Sequence, residues 1–271
     1  MKSEKNPATG RNLAAFIQYL RSERNASEHT VSAYFSGIVE FAVSMQYILK
    51  HLKQGDKVLD VGAGTGRYTQ SLREAGFDVT AVELVKKNLS VLKQNCPNVP
   101  AYLGNATNLK QFKDNMFDAV ILFGPMYHLQ NLEDRQKALL EAKRVVKVGG
   151  IIFVAHLLSS YAIIRHGFMD RNILENIKQG KVDKNFNLSL KEEDLYYYTT
   201  LNEIESLNKS QNLNRLQIIS PDGPTDYIRP YINKLTNEEF ELYINFVKQN
   251  AENSTTIGAS SHIVDILTKT E

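Results

Sequence analysis

Three glycines at alternate positions, Gly62, Gly64 and Gly66, follow an apolar run that ends at Val61. Glycine accepts a positive φ and has no Cβ, so a ligand can lie close to its backbone. A dinucleotide site requires the spacing G-x-G-x-x-G, because the pyrophosphate sits on the amino end of the next helix. Here the spacing is G-x-G-x-G, and Asp60 stands just before it. A carboxylate is a poor neighbour for phosphate, so this turn indicates a cationic or amino-bearing ligand.

A second acid stands at the end of the next apolar run. Glu83 follows Asp60 by 23 residues, within the segment "DVTAVEL". An acid at the end of the second strand of an open α/β sheet can accept hydrogen bonds from both hydroxyls of a ribose. The glycine turn and the two acids together predict a nucleoside site with room for a positively charged tail.

The segments around these residues alternate between strand and helix patterns from Lys57 onward. Seven apolar segments are typical of strands: "KVLDV", "DVTAVEL", "VPAYLG", "FDAVILF", "IIFVAHLL", "RLQIIS" and "SHIVDIL". The alternation predicts an α/β fold with a Rossmann-like, doubly wound, mostly parallel sheet covered on both faces. In such a sheet ligands bind at the carboxyl ends of the strands, which is where the glycine turn falls. A short polar helix is predicted at 109–112, before the fourth strand.

The remaining segments predict a cap and two insertions. Residues 1–54 place apolar side chains at helical spacing and predict an amino-terminal helical cap, with a break at Gly37. Residues 55–271 are predicted to form the α/β domain, with insertions at about 159–200 and 221–255.

The amino-acid composition limits which binding partners and which cellular location are expected. The 271 residues include 32 basic and 30 acidic side chains, a net charge of +2 that gives little support to a nucleic-acid or membrane partner. Cys96 is the only cysteine, so neither a disulfide nor a cysteine-based metal cluster is expected. The polar amino terminus lacks the apolar core of a signal peptide, and no apolar run is long enough to span a bilayer. These features predict a cytoplasmic protein.

The ordered motifs of residues 57–156 resemble those of the class I S-adenosylmethionine-dependent methyltransferases. Five segments carry the resemblance: "VLDVGAGTG", "AVEL", "GNATNL", "FDAVILFGPMYHL" and "EAKRVVKVGG". The "GPMYHL" segment and the ending "IGASSHIVDILTK" are similar to those of a group of uncharacterised bacterial members. The resemblance implies a seven-stranded sheet, S-adenosylmethionine as cofactor, and methyl transfer to an oxygen, nitrogen or carbon atom of a small molecule.

The resemblance also implies which residues hold the methionine and ribose parts of that cofactor. Asp60, Gly62 and Gly64 would line the methionine part, in the turn that Gly66 closes. Glu83 would hold the ribose hydroxyls.

The adenine and the reactive end are assigned in the same way. Leu84 would pack near the ribose, and Asn105 and Ala106 would meet the adenine. Members of the family usually carry an acid at the position of Asn105, whose side-chain carbonyl can still accept a hydrogen bond from the adenine amino group. Phe123 and Gly124, just past the fourth strand, would border the reactive end.

Catalytic residues are less strongly marked. His128 is the best candidate for a general base, because the pKa of histidine lies near neutrality, and Tyr127 beside it would form a wall of the site. Tyr34, in the cap, is a possible contributor to the cofactor site. Methyl transfer from a sulfonium needs no metal and no oxyanion hole, since holding the reactants in line and excluding water can supply much of the rate.

The amino-terminal segment "FIQYLRSERNASEHTVSAYFSGIVEF" resembles the start of the core-binding domain of tyrosine recombinases. The match covers about 30 residues, and the chain has no region like the recombinase catalytic domain, so we favour a helical cap over the sheet. Two other functions stay open. One is an RNA or protein methyltransferase, and the other is a non-catalytic module that binds a cofactor or DNA.

Overall fold

A single mixed sheet forms the centre of the molecule. The computed structural model describes residues 28–270, with side chains from Ser36 onward. The strands are β1 (Lys57–Val61), β2 (Asp78–Glu83), β3 (Ala101–Leu103), β4 (Phe117–Leu122), β5 (Val146–Leu158), β6 (Tyr198–Thr199), β7 (Leu213–Ile219) and β8 (His262–Lys269). Their order is β3-β2-β1-β4-β5-β8-β7, and β6 pairs in parallel with the end of β5. Only β8 runs antiparallel, between β5 and β7.

This sheet confirms the predicted fold class. The seven predicted strands are all present, and β6 adds an eighth that has only two residues and therefore no readable alternation. Because β8 is antiparallel, its first residue lies at the edge where the parallel strands end. That edge carries the site described below.

Helices cover both faces of the sheet. They are α1 (Glu28–His51), α2 (Arg67–Glu74), α3 (Lys86–Asn95), α4 (Leu132–Val145), α5 (Ser159–Ala162), α6 (Ile173–Lys178), α7 (Leu201–Ser210), α8 (Arg229–Ile232), α9 (Asn237–Asn250) and α10 (Ser254–Ile257). A 3₁₀ turn spans Pro125–Tyr127, and a π-helical segment spans Ile163–Met169. Within residues 28–270 the helices include none that is long and apolar enough to cross a membrane.

The two faces of the sheet bury two separate apolar cores. Successive side chains of a strand point to opposite faces, so Val58 and Leu59 of β1 belong to different cores. The first core joins the sheet to α1, which contributes Val43, and to α9, which contributes Ile244. The second joins it to α4, through residues such as Leu139. The described part of α1 is therefore part of the packed structure.

Three local predictions need correction. Residues 109–112 form a turn in which the amide of Phe112 donates to the carbonyl of Leu109, so the predicted short helix is wrong. α1 runs unbroken through Gly37, because a glycine inside a helix lowers its stability without stopping it. β5 begins at Val146, five residues before the predicted strand.

Two predictions concern the amino terminus and the division into domains. Residues 16–27 of the recombinase-like segment, which spans 16–41, lie outside the described residues, and so do residues 1–27 of the predicted cap. The domain limits at 54 and 55 remain a prediction.

One buried acid fixes β8 between its neighbours. Asp265, in the middle of β8, is completely buried. Its carboxylate accepts hydrogen bonds from Arg215 Nε at 2.6 Å and Nη2 at 2.9 Å, and from Asn208 Nδ2 at 2.6 Å. A buried charge is tolerated when it is paired and hydrogen-bonded in this way. Asp265 therefore links β7, through Arg215, and α7, through Asn208, to β8. The first residue of β8 lies at the edge of the sheet that carries the candidate site.

Replacing Arg215 should destabilise the fold. Arg215→Leu leaves the carboxylate of Asp265 buried with one neutral partner, and we expect a loss of about 3–5 kcal/mol in the free energy of unfolding. Lys209→Leu is the matched control, because Lys209 makes an exposed ion pair with the same Glu205 that Arg215 contacts. Its loss should be below about 0.5 kcal/mol. Urea unfolding of both variants measures the difference, and equal losses would contradict this account of Asp265.

Candidate functional site

The glycine turn after β1 has the backbone conformation that its sequence demands. The φ angles are +78° at Gly62, +58° at Gly64 and +95° at Gly66, all in the left-handed region. A Cβ added at Gly62 would lie 2.7 Å from Cδ of Pro125, so this glycine allows the segment after β4 to approach. A Cβ added at Gly64 would meet nothing within 4 Å. The backbone of Gly64 therefore faces open space, which a ligand can use.

The second-strand acid lies against this turn. Glu83 is only 5% exposed, and its Oε2 accepts a hydrogen bond from the amide of Gly64 at 2.8 Å. Its Oε1 accepts from the amide of Val85, also at 2.8 Å. Each carboxylate oxygen can accept a further hydrogen bond, so Glu83 can still accept from two hydroxyls of a ligand.

Asp60 is the more deeply buried of the two acids. It is 2% exposed, and its Oδ2 accepts a hydrogen bond from Oγ1 of Thr69 at 2.6 Å. Burial, with a smaller contribution from the charge of Glu83, raises the pKa of Asp60 to about 6, although the hydrogen bonds from Thr69 lower it. Ionisation is therefore costly in the protein alone, and a cation placed beside Asp60 would favour the charged form.

The predicted adenine side is open and partly apolar. Leu84 is 62% exposed although it is a large apolar residue next to the buried Glu83. Asn105 is exposed, and its Oδ1 accepts a hydrogen bond from the amide of Thr107 at 3.0 Å, so it stabilises its own turn. Ala106 is buried in the second core. An exposed leucine beside a buried acid fits a site in which a flat apolar ring covers the leucine.

An aromatic series connects the turn to α1. The ring of Phe123 lies 4.9 Å from that of Tyr68, which lies 5.0 Å from that of Phe41. The Tyr68 hydroxyl donates to Oε1 of Glu40 at 3.0 Å. Arg67, the first residue of α2, lies over the ring of Phe41 at 4.3 Å. These contacts bring the cap helix to the predicted reactive end of the site.

Glu40, which accepts from Tyr68 beside the candidate site, was not among the predicted site residues. Burial raises its pKa, against the nearby charges of His262 and Arg67. The sequence contained one indication of its importance, because Glu40 is an acid on the apolar side of α1, between the buried Val39 and Val43.

Tyr127 and His128 occupy different surroundings. Tyr127 packs against the first core, and burial raises its pKa well above the usual value for tyrosine, so it stays protonated. His128 is exposed, and its Nδ1 lies 3.1 Å from the carbonyl oxygen of Leu195. A carbonyl only accepts, so Nδ1 of His128 carries the proton in that contact. The side chain of Tyr34 lies outside the described part of the chain.

A second histidine at the same edge was also missed. His262 begins β8, and its Nδ1 lies 2.8 Å from Oδ2 of the buried Asp222, which follows β7. Forty residues separate the two in the sequence, and only the antiparallel pairing of β7 with β8 brings them together. No sequence spacing links them. The sole signal was the serine-rich stretch before His262 in the tail segment.

His156, by contrast, belongs to a separate cavity. This cavity of about 560 Å³ is lined by residues such as Arg135, Tyr197 and Glu203, and by none of the predicted site residues. Burial lowers the pKa of His156 to about 4, so this histidine is neutral near pH 7.

Known proteins share this fold and part of this sequence. Residues 59–154 match the family model described as a methyltransferase domain. The fold is that of solved S-adenosylmethionine-dependent methyltransferases, such as one from Methanosarcina mazei. That structure has a TM-score of 0.56 and 16% identity over 83% of this chain and 97% of the other. A protein of Pyrococcus horikoshii has a TM-score of 0.57 and 16% identity over 93% and 98%.

Particular relatives match part of the chain. A demethylmenaquinone methyltransferase of Renibacterium salmoninarum is 44% identical over 102 residues, which are 37% of this chain and 41% of the relative. An uncharacterised methyltransferase of Mycobacterium bovis is 38% identical over 94 residues, or 35% and 37%. The chain thus spans about two fifths of the length of these relatives.

The raised pKa of Asp60 predicts a pH-dependent effect of its replacement. Between pH 3.8, the ordinary value, and about pH 6, the unfolded chain releases this proton while the folded chain keeps it. The stability contributed by this group is therefore lost as the pH rises through that window. An asparagine cannot ionise, so Asp60→Asn removes this pH-dependent loss of stability. Its side-chain oxygen can still accept the hydrogen bond from Thr69. We expect the variant to gain on the order of 2 kcal/mol relative to the parent between about pH 4 and pH 7.

Urea unfolding of both proteins at the two pH values measures this gain. A difference in stability between variant and parent that does not change with pH would contradict the assignment of Asp60 as a costly buried carboxylate.

Proposed function

We propose that the protein transfers a methyl group from S-adenosylmethionine to a small molecule. The observation that carries the proposal is the open space over Gly64, bordered by the buried acids Asp60 and Glu83, within the segment that matches a methyltransferase domain. Two carboxylates fit a ligand that combines ribose hydroxyls with a positive charge. They would repel a ligand that presents phosphate there.

The residues of this edge would hold the parts of the cofactor in turn. Asp60 and the backbone of Gly62, Gly64 and Gly66 would face the methionine part, and Glu83 would accept from the ribose hydroxyls. The carboxylate of Glu83 is already oriented by two backbone amides, so little ordering remains to be done when the ligand arrives.

The adenine would lie on the apolar side of Glu83. Leu84 would pack against the ring, and Asn105 and Ala106 would border it. The exposed side chain of Leu84 supports this placement, because covering it would remove apolar surface from water. Phe123, packed edge-on against Tyr68, would close the reactive end against water.

When bound, the cofactor supplies a methyl group on a positively charged sulfur, which needs only a nucleophile in line with it. The chain's own contribution is to orient the acceptor and to exclude water. Tyr127 stays protonated and can act as a wall that donates a hydrogen bond, and His128 at the outer rim remains a candidate base.

Several findings support a small-molecule acceptor. The relatives that match about two fifths of this chain include enzymes named for demethylmenaquinone. The insertion after β5 also brings Tyr196 and Tyr198 to the same edge, where they border a cavity of about 460 Å³. A space of this size fits a small molecule.

The finer resemblances belong to the same proposal. They are membership of the bacterial group that carries the "GPMYHL" segment, the similarity of residues 16–41 to the start of a recombinase core-binding domain, and a cytoplasmic location.

Cofactor binding tests the proposal directly. Isothermal titration of the purified chain with S-adenosylhomocysteine should show saturable binding at one site. Glu83→Gln should weaken it about 10- to 100-fold, because a hydrogen bond to a charged group contributes about 1.5–3 kcal/mol. Glu74→Gln is the matched control, since Glu74 is an exposed acid at the far end of α2, and its affinity should equal that of the parent. A parent chain without binding would refute the proposed function.

A further inference from the structure

We propose that His262, oriented by Asp222, is the general base of the methyl transfer, and that the acceptor is an aromatic compound with a hydroxyl group. The proposal rests on the proposed function and names the base and the substrate class for that site. His262 would be a catalytic residue that touches the acceptor hydroxyl. Asp222 would be a positioning residue that acts through His262.

The topology places His262 and Asp222 beside the cofactor edge. His262 pairs with Leu157 near the carboxyl end of β5, because β8 is antiparallel to β5. Asp222 follows β7, which runs in the same direction as β5. Both residues therefore lie at the edge where the glycine turn follows β1, and the acceptor of an open α/β sheet approaches from that edge.

The hydrogen bonds define the tautomer that a base needs. Asp222 is a carboxylate and only accepts, so Nδ1 of His262 donates to it across 2.8 Å. Nε2 of His262 has no hydrogen-bond partner among the residues that the structure describes, and 30% of the side chain is exposed. A neutral His262 with its proton on Nδ1 therefore presents the lone pair of Nε2 to the site, as the histidine of a catalytic triad does.

Asp222 is held in its charged form although it is buried. The hydroxyls of Ser260 and Ser261 donate to its two carboxylate oxygens, and the backbone amide of His262 lies 3.3 Å from each. Burial alone raises the pKa of Asp222, but the contacts with His262 and the two serines outweigh it and hold the pKa below its ordinary value. Three consecutive residues, Ser260, Ser261 and His262, thus contact one buried carboxylate.

A short series of contacts connects His262 to the glycine turn. A Cβ added at Gly124 would lie 3.6 Å from the carbonyl oxygen of Gly62 and 4.0 Å from the hydroxyl of Tyr127. The ring of Tyr127 lies 6.2 Å from that of His262. Tyr127 therefore stands between the turn that would hold the cofactor and the histidine that would hold the acceptor.

The side chains beyond Tyr127 are aromatic. The ring of Tyr196 lies 6.2 Å from that of Tyr127, and the ring of Tyr198 lies 6.4 Å from that of Tyr196. Both tyrosines come from the insertion after β5. Rings at these distances present edges and faces on which a flat ring can stack, which favours an aromatic acceptor over an aliphatic one.

The step balances without a further reactant. The O–H bond of the acceptor breaks and its proton passes to Nε2 of His262. The oxygen forms a bond to the methyl carbon as the carbon–sulfur bond breaks, and that electron pair stays on sulfur. The proton then leaves His262 to solvent through its exposed side.

Charged groups around His262 suit this role. Burial lowers its pKa, but the hydrogen bond and charge of Asp222 and the charge of Glu40 from α1 outweigh it, so that the pKa lies above the ordinary value of 6.5. Tyr127 and Ser261, the other polar groups that face the ring among the described residues, are neutral. A base of higher pKa removes a phenolic proton more readily.

The test uses the full chain saturated with S-adenosylhomocysteine, which cannot react, and 4-nitrophenol as the acceptor probe. Nitrophenolate absorbs visible light and the neutral phenol does not, so absorbance reports the ionised fraction of the bound probe at about pH 6. We expect saturable binding with the bound probe largely ionised. In His262→Gln the ratio of bound phenolate to phenol should fall by about tenfold or more. His51→Gln is the matched control, because His51 lies on α1 about 16 Å along the axis from Glu40 and should leave the ratio unchanged.

Asp222→Asn separates positioning from a merely structural role. Histidine NMR of the free protein should show a pKa above 6.5 for His262 in the parent and a lower one in the variant, because the anionic partner is lost. The bound probe should then be less ionised, while S-adenosylhomocysteine affinity stays at the parent level. An unchanged His262 pKa would overturn the role of Asp222.

The remaining outcomes are distinct. A chain that binds S-adenosylhomocysteine but not nitrophenol refutes the aromatic acceptor. If the ratio of bound phenolate to phenol is unaltered in His262→Gln, His262 is not the base. The same conclusion follows if that ratio falls in His128→Gln instead. Either outcome leaves the proposed function intact. A chain that does not bind S-adenosylhomocysteine refutes both.

Discussion

Three carboxylates buried at one edge of the sheet are the constraint on which the site depends. Asp60, Glu83 and Asp222 each lose the hydration that would stabilise their charge, and such a loss is tolerated only when hydrogen bonds replace it. Each acid is satisfied by groups close to a strand end: a threonine hydroxyl for Asp60, two backbone amides for Glu83, and two serine hydroxyls and a histidine for Asp222. The edge therefore gathers three acidic groups whose side chains are held by hydrogen bonds before any ligand binds.

The antiparallel strand β8 extends this edge beyond the proposed nucleoside site. Parallel strands alone would place only their last residues there, whereas β8 contributes its first residue, His262. The buried pair of Asp265 with Arg215 holds β8 in register between β5 and β7. α1 covers the edge from the other side and adds Glu40 and Phe41. The proposed cofactor residues and the proposed base thus come from opposite halves of the chain but share one edge of the sheet.

The sequence was informative where the chemistry is local. The glycine turn, Asp60 and Glu83 lie within 24 residues, and their spacing predicts both strand ends and a ligand type. The seven main strands were visible as apolar runs. Residues 109–112 were mistaken for a helix because four residues cannot distinguish a turn from a helix, and β6 has too few residues to show a period.

The proposed base could not be predicted because it depends on long-range pairing. His262 and Asp222 come into contact only when β7 and β8 pair. His128 stood beside a recognisable motif and was the natural candidate, yet the structure places it at an exposed rim against a backbone carbonyl. Glu40 likewise could not be recognised from the sequence, because only its hydrogen bond from Tyr68, which joins α1 to α2, places it near this edge.

A crystal structure of the full chain with S-adenosylhomocysteine tests the central claim most directly. The account predicts that the ribose hydroxyls lie within hydrogen-bond distance of Glu83, that the amino-acid tail lies against Asp60 and Gly64, and that the sulfur faces the space between Tyr127 and His262. A nucleoside bound away from Glu83, or a sulfur directed away from Tyr127, would contradict it.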